Sequence, residues 1–333
     1  MNIEEFTEEQ LAGQRLMVGF DGTALNDDLI HLVDTVLVGG IILFSRNISS
    51  PDQVKTLCES LQKYALSSGQ PPLFVAIDQE GGEVSRLKEP FTQFLGNPAM
   101  KEERDAEHFA KTTGVELGQI GVNMNMAPVL DIACKGSVME GRSFGQDSAR
   151  VSELGVKVIE HLQEKGIMAV AKHFPGIGRT TLDSHLDTPF LDITLSGLAR
   201  ADLLPFKAAI TCDVGGIMLS HVLYSQVDSQ WPASLSPCFV RNILRDKMKF
   251  EGIVITDDLD MGAIKKHHDI KTVIGQIIAS DIDIALICHK GDDIKKAFDE
   301  ILTHVKRLGR KKMETSVKRI IKYKKKYIKS KYL

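Results

Sequence analysis

Short apolar runs rich in β-branched residues recur along the whole chain, at residues 16–20, 36–44, 73–78, 122–129, 167–173, 216–221, 252–257 and 282–287. Between most of them lie longer segments with helical periodicity, for example 52–64, 104–117, 151–165, 198–210 and 238–247. Thr7-Glu8-Glu9-Gln10 has the form of a capping box and predicts the start of a short helix. Runs that are apolar on both faces suit parallel strands covered by helices. Their alternation with helices predicts an α/β fold. Eight such units in about 300 residues match a (β/α)8 TIM barrel better than an open sheet. The doubly wound alternative lacks its signature: no GxGxxG follows the first run, and GxxxxGK[ST] is absent. No linker or shift of composition divides residues 1–333, so a single domain is expected.

Composition adds exclusions. With 43% hydrophobic and 26% charged residues, the 333-residue chain is neither disordered, collagen-like nor a coiled coil. The longest apolar stretch, 36–44, is far below the ~18 residues a membrane helix needs. The acidic start MNIEEFTEEQ has no signal-peptide pattern. Five widely spaced cysteines without a CxxC indicate neither a disulfide framework nor a structural zinc site, and most sit among apolar neighbours as small hydrophobes. A cytoplasmic setting is therefore expected, and separately a monomer.

Charge is unevenly placed. Residues 306–333 carry thirteen Lys or Arg against Glu314, a local +12 that leaves −15 on residues 1–305. The same segment has apolar residues at helical spacing: Val317, Ile320, Ile321, Tyr323, Tyr327 and Ile328. This predicts a basic C-terminal helix, at about 306–333, with one side on the body and its lysines in water. Contact with a polyanion is the alternative; no nucleic-acid partner is expected.

In a barrel of this kind, chemistry collects at the C-terminal ends of the strands. Five consecutive runs end in polar groups: Asp78-Gln79-Glu80-Gly81-Gly82 with Arg86, Asp131 followed by Gly141-Arg142-Ser143-Phe144-Gly145, Lys172-His173, Ser220-His221, and Thr256-Asp257-Asp258-Leu259-Asp260. Asp183-Ser184-His185 follows the fifth. Burying isolated charges is costly, so five such ends point to one shared pocket. Asp257 is then placed to act as a carboxylate nucleophile. Arg86, Arg142 and Lys172 would hold its charge and bind a polyhydroxylated ligand. His185 can move a proton near neutral pH, with Asp183 to orient the ring. Blander roles stay open: Asp257 as a helix cap, His185 as a surface histidine, Arg142 as a loop brace. So does metal-assisted hydrolysis, because His173, Asp183, His185, His221 and Asp257 are ligand types, although HExxH is absent. His267-His268-Asp269 reads as solvated.

These motifs resemble the β-N-acetylhexosaminidases of glycoside hydrolase family 3, the single-domain bacterial type. The marks are DQEGG at 78–82, GRSFG at 141–145, KHFPG at 172–176, DSH at 183–185 and TDDLDMGAI at 256–264, within a likeness running from about residue 11 to 317. The resemblance implies a TIM barrel that removes terminal N-acetylglucosamine with retention of configuration, from peptidoglycan fragments, without metal or cofactor. It assigns Asp257 as nucleophile, His185 as general acid/base with Asp183 as its partner, and Asp78, Arg86, Arg142, Lys172 and His173 to sugar binding. Two positions depart from the family pattern: Ile177 stands where KHFPGHG has its second histidine, and Glu83 where Arg is usual. A phosphorylase, a broader β-glycosidase and a non-catalytic sugar-binding protein remain as alternatives on the same scaffold.

Overall fold

Eight parallel strands close into a barrel in sequence order: β1 Leu16–Val18, β2 Gly40–Leu43, β3 Phe74–Ile77, β4 Met124–Asn125, β5 Met168–Phe174, β6 Gly216–Leu219, β7 Ile253–Asp258 and β8 Ile284–Ile287. The computed structural model describes residues 2–184, 187–328 and 332. Each predicted run overlaps one barrel strand, and β5 and β7 extend one residue past theirs. The first and last pair directly, Met17 opposite Leu286, which completes the ring. Strand β4 is much shorter than its run, because Pro128 has no N–H to give to the ladder. Beyond it, an isolated bridge links Val129 with Lys172.

The strands are buried on both faces, and their side chains alternate between two cores. Met17, Ile42, Phe74, Ala76, Met124, Met168, Val170, Met218, Ile253, Ile255, Ile284 and Leu286 fill the barrel. Their neighbours, such as Val18, Ile41, Val75, Ala171, Ile217 and Val254, face the surrounding helices. Period-2 alternation between two apolar environments explains why the runs look continuously apolar.

The helices follow the periodic segments closely: Pro51–Ser67, Glu103–Gln119, Ser148–Glu164 and Cys238–Lys247. The Thr7 capping box is present, with Gln10 N donating to Thr7 Oγ1 at 3.1 Å and Thr7 N to Gln10 Oε1 at 3.0 Å. One expectation needs correction. Segment 198–210 is two helices, Leu195–Arg200 and Leu203–Thr211. Pro205 cannot donate to the carbonyl four residues back, so the helix restarts there.

The basic segment forms the helix Arg310–Tyr327. It packs across the N-terminal end of the barrel, where Ile320, Tyr323, Tyr327 and Ile328 join the barrel-interior core. Lys324 goes in with them, fully buried, its Nζ donating to Gln14 Oε1 at 2.6 Å. That lysine contradicts the expectation that the lysines of this helix face water; the others along the outer side do. The cysteines also divide differently from expectation. Cys58 and Cys288 are buried, Cys212 and Cys238 are half-buried, and Cys134 is exposed.

Candidate active site

The C-terminal ends of the strands surround a cavity of about 320 Å³. Its walls include Asp78, Arg86, Arg142, Lys172, His173, Asp183 and Asp257, seven of the eight residues singled out from sequence. The eighth, His185, lies outside the described residues. A larger hollow of about 760 Å³ lies at the opposite end of the barrel, beside the terminal helix. It is lined by one face of the helix Pro51–Ser67, by loops that precede strands and by the end of the terminal helix, and none of the strand-end groups is in its lining.

An ion network forms one wall of the cavity. Lys172 Nζ, on β5, donates to Asp78 Oδ1 at 2.7 Å and contacts Glu80 Oε1 at 2.6 Å. Arg142 grips Glu80 with two bonds, Nη2 to Oε1 at 2.7 Å and Nε to Oε2 at 3.0 Å. Arg86 Nη2 donates to Asp78 Oδ2 at 3.3 Å. Burial alone would raise the Asp78 carboxyl, but Lys172 and Arg86 outweigh it and hold it at about 2. Burial likewise acts to raise Glu80, and Lys172 and Arg142 overcome it, so its pKa is also lowered. Lys172 and Arg142 are held above their ordinary values against burial, Lys172 by Asp78 and Glu80, Arg142 first by Glu80. All four groups are thus charged at neutral pH.

Glu80 was not among the sequence candidates, although it belongs to the DQEGG motif. Its position two residues after Asp78 was the available signal. Asp131, noted only as a strand-end group, was likewise given no role. It is fully buried, and its carboxylate accepts from His173 Nδ1 at 2.7 Å and from Ile177 N at 2.7 Å. With Nδ1 committed, the ring nitrogen His173 can offer a ligand is Nε2. Ile177 is nearly buried and lines the cavity, contributing an apolar wall. Glu83 is exposed, and its carboxylate covers Gly141, where a Cβ would come within 2.4 Å of Oε1. A side chain at position 141 would have to displace that carboxylate.

Asp257 sits near the end of β7, half-buried, with Oδ1 accepting from the N–H of Asp258 at 2.8 Å. Its neighbour is tied down heavily. Asp258 Oδ1 accepts from Asp260 N and Cys288 N, both at 3.0 Å. Burial pushes the Asp258 carboxyl up to about 6; those backbone donors oppose the rise, while Asp260 and Asp257 add to it. His221 also serves this corner. Its Nε2 donates to the Asp258 carbonyl at 2.9 Å, and in the neutral ring Nδ1 accepts from Ser234 Oγ at 2.6 Å.

The loop carrying Asp183 is pinned to the segment that follows β7. Ala263 N donates to the Ser184 carbonyl at 3.0 Å, and Thr188 Oγ1 donates to the Ala263 carbonyl at 2.7 Å. His267 contacts Asp187 at 2.5 Å, and His268 packs against Trp231. His267 is exposed, as the sequence suggested, while His268 is half-buried. Asp269 caps the helix Ile270–Ala279.

The described members of the ligand-type set, His173, Asp183, His221 and Asp257, do not form a group at metal-binding distance. Among the described residues the trio that does is Asp258, Asp260 and His289. There Asp260 already engages Lys265 at 2.8 Å.

Comparison with known proteins gives the chain's family. The N-terminal domain of glycosyl hydrolase family 3 matches residues 7–323. A beta-hexosaminidase of Thiobacillus denitrificans is 37% identical over 284 residues, 82% of this chain and 78% of that protein. The solved family 3 beta-N-acetylglucosaminidase of Paenibacillus superposes with a TM-score of 0.94 at 36% identity, over 97% of this chain but 63% of its own. This chain thus spans under two thirds of that enzyme. The beta-N-acetylhexosaminidase of Beutenbergia cavernae gives 0.88 at 26% identity, covering 96% of this chain and 99% of its own. A match that runs through all eight strands and every loop lining the cavity makes this chain a member of glycosyl hydrolase family 3.

Proposed function

We propose that this glycoside hydrolase is an exo-acting, retaining β-N-acetylglucosaminidase that releases terminal, non-reducing β-linked N-acetylglucosamine. The observation that carries the reading is the gathering of Asp78, Arg86, Arg142, Lys172, His173, Asp183 and Asp257 around one small cavity. Its volume, about 320 Å³, is at the lower end for ligand pockets and suits one sugar residue better than a passing chain. The named relatives are beta-hexosaminidases and beta-N-acetylglucosaminidases.

In this reading Asp257 attacks the anomeric carbon as His185 protonates the departing oxygen, giving a glycosyl-aspartate. Water deprotonated by His185 then releases the sugar. Acid/base help of this kind is worth about 10²–10⁴-fold. Asp183 holds the imidazole in its working orientation. Asp78, Arg86, Arg142, Lys172 and His173 bind the sugar hydroxyls and the acetamide. The ties of Ser184 and Thr188 to Ala263 support this division of labour, because they fasten the loop of the proton donor to the segment that follows the nucleophile. The reaction uses no metal or cofactor, and the natural substrates are peptidoglycan fragments in the cytoplasm. No helix among the described residues is long and apolar enough to cross a membrane.

The test is to trap the enzyme with a 5-fluoro N-acetylglucosaminyl donor and map the labelled peptide. The adduct is expected on Asp257, and the first sugar released is expected to be the β-anomer. An adduct elsewhere, or initial α-product, refutes the mechanism. Initial rates on an anhydro-muropeptide and on chitobiose test the substrate assignment, with a faster chitobiose reaction counting against it.

A further inference from the structure

At the N-terminal end of β7, away from the catalytic cavity, a hollow of about 420 Å³ opens between the helix Cys238–Lys247 and the terminal helix Arg310–Tyr327. Its lining is Arg245, Lys249, Phe250, Glu251, Lys318, Arg319 and Lys322: five cations and one carboxylate. We propose that this hollow binds a phosphate-bearing anion, either a soluble polyphosphate or a phosphorylated lipid headgroup.

The two guanidinium groups are held in place from behind. Arg245 Nη2 donates to Asp283 Oδ2 at 2.7 Å, and its Nη1 donates to the carbonyls of Phe250 and Gly252. Arg319 bonds Asp283 Oδ1 at 2.8 Å and Asp281 Oδ2 at 3.0 Å. One donor is left over. Arg245 Nε is buried with no hydrogen-bond partner among the described residues, the nearest carboxylate oxygen of Asp281 being 3.8 Å away. A buried donor in that state is costly.

The lysines supply the charge. Lys318 is partnered by Glu314, whereas Lys249 and Lys322 have no carboxylate at ion-pair distance among the described residues. Lys249 also holds a left-handed backbone, with φ at 57°. The positive field extends beyond the hollow, because Lys311, Lys318, Lys322 and Lys325 are all exposed and follow one side of the helix. The remainder of the molecule is acidic and repels anions, so a polyanion is steered to this end of the barrel. Planar guanidinium groups flanked by mobile ammonium groups are the usual donor set for phosphate.

The test uses the full chain and the double variant Lys249→Ala, Lys322→Ala, which leaves the Arg–Asp lattice intact and keeps a Cβ at position 249. Inorganic pyrophosphate is titrated calorimetrically at low salt, and phosphatidylglycerol vesicles are compared with phosphatidylcholine vesicles by co-sedimentation. Saturable pyrophosphate binding that weakens about tenfold or more in the double variant identifies a soluble anion. Sedimentation with phosphatidylglycerol alone, lost in the variant, identifies a lipid headgroup. Glycosidase activity is expected to stay unchanged and reports that the barrel is folded. Failure of both probes to bind the parent, or equal binding by the variant, overturns the proposal.

Discussion

Replacing Asp78 by Asn tests the ion network at the cavity wall through its pH dependence. The carboxyl is held at about 2 against an ordinary 3.8, and its side chain is largely buried, so little solvent discount applies. A gap of that size corresponds to roughly 2 kcal/mol of stability at pH 7. The sign follows from the direction of the shift. The unfolded chain binds the proton more readily, so the contribution is full above the unfolded pKa and is lost as pH falls through the folded one. About half of it remains at pH 3. Asp78→Asn should therefore lower the urea midpoint by roughly 0.7 M at pH 7, taking about 3 kcal/mol/M for the slope. The deficit should shrink steadily between pH 4 and pH 2. Urea titrations of parent and variant at pH 7, 5, 4 and 3 provide the assay. A deficit that stays constant with pH would show that Asn fails for packing reasons and that Lys172 and Arg86 do not set the carboxyl's charge.

Other substitutions have equally definite outcomes. Asp258→Asn should stabilise the protein above pH 6, because a carboxyl raised to about 6 carries a penalty when ionised, and Asn Oδ1 still accepts from Asp260 N and Cys288 N. That gain is expected to fade below pH 4 in thermal melts. Lys324→Met should raise the melting temperature, since burial drives the lysine amine well below its usual range. Its advantage should grow as the medium becomes more acidic, and a lower melting temperature at pH 6 would contradict the reasoning. His185→Ala should slow poor leaving groups far more than an activated aryl N-acetylglucosaminide, and equal losses on both would remove it as the proton donor.

The barrel was legible because each strand faces two apolar environments, and a run such as 252–257 shows this without any partner in view. Strand-end groups that project into the cavity were legible as well: Asp78, Lys172 and Asp257 are polar residues that terminate apolar runs. Glu80 and Asp131 were harder to find because their partners are other side chains, Arg142 with Lys172 and His173, which are remote in sequence and adjacent only after folding. Pro205 announced its helix break, but the amphipathic pattern around it masked the signal. The terminal helix was recognised from its periodicity, whereas its seat on the barrel end was not, since Lys324 reads as a surface residue until Gln14 and Phe74 are brought beneath it.

Pairing of the first strand with the last has a consequence for biosynthesis. Residues 16–18 leave the ribosome with β2 as their only eventual neighbour yet made, and their other edge stays open until residues 284–287 have been translated. At about 5–20 residues per second, that wait is on the order of tens of seconds. The nascent chain must pass this interval with an unzipped edge and a methionine-rich interior lacking its cover, so trigger-factor-like protection during synthesis should matter more for yield than any rescue after release.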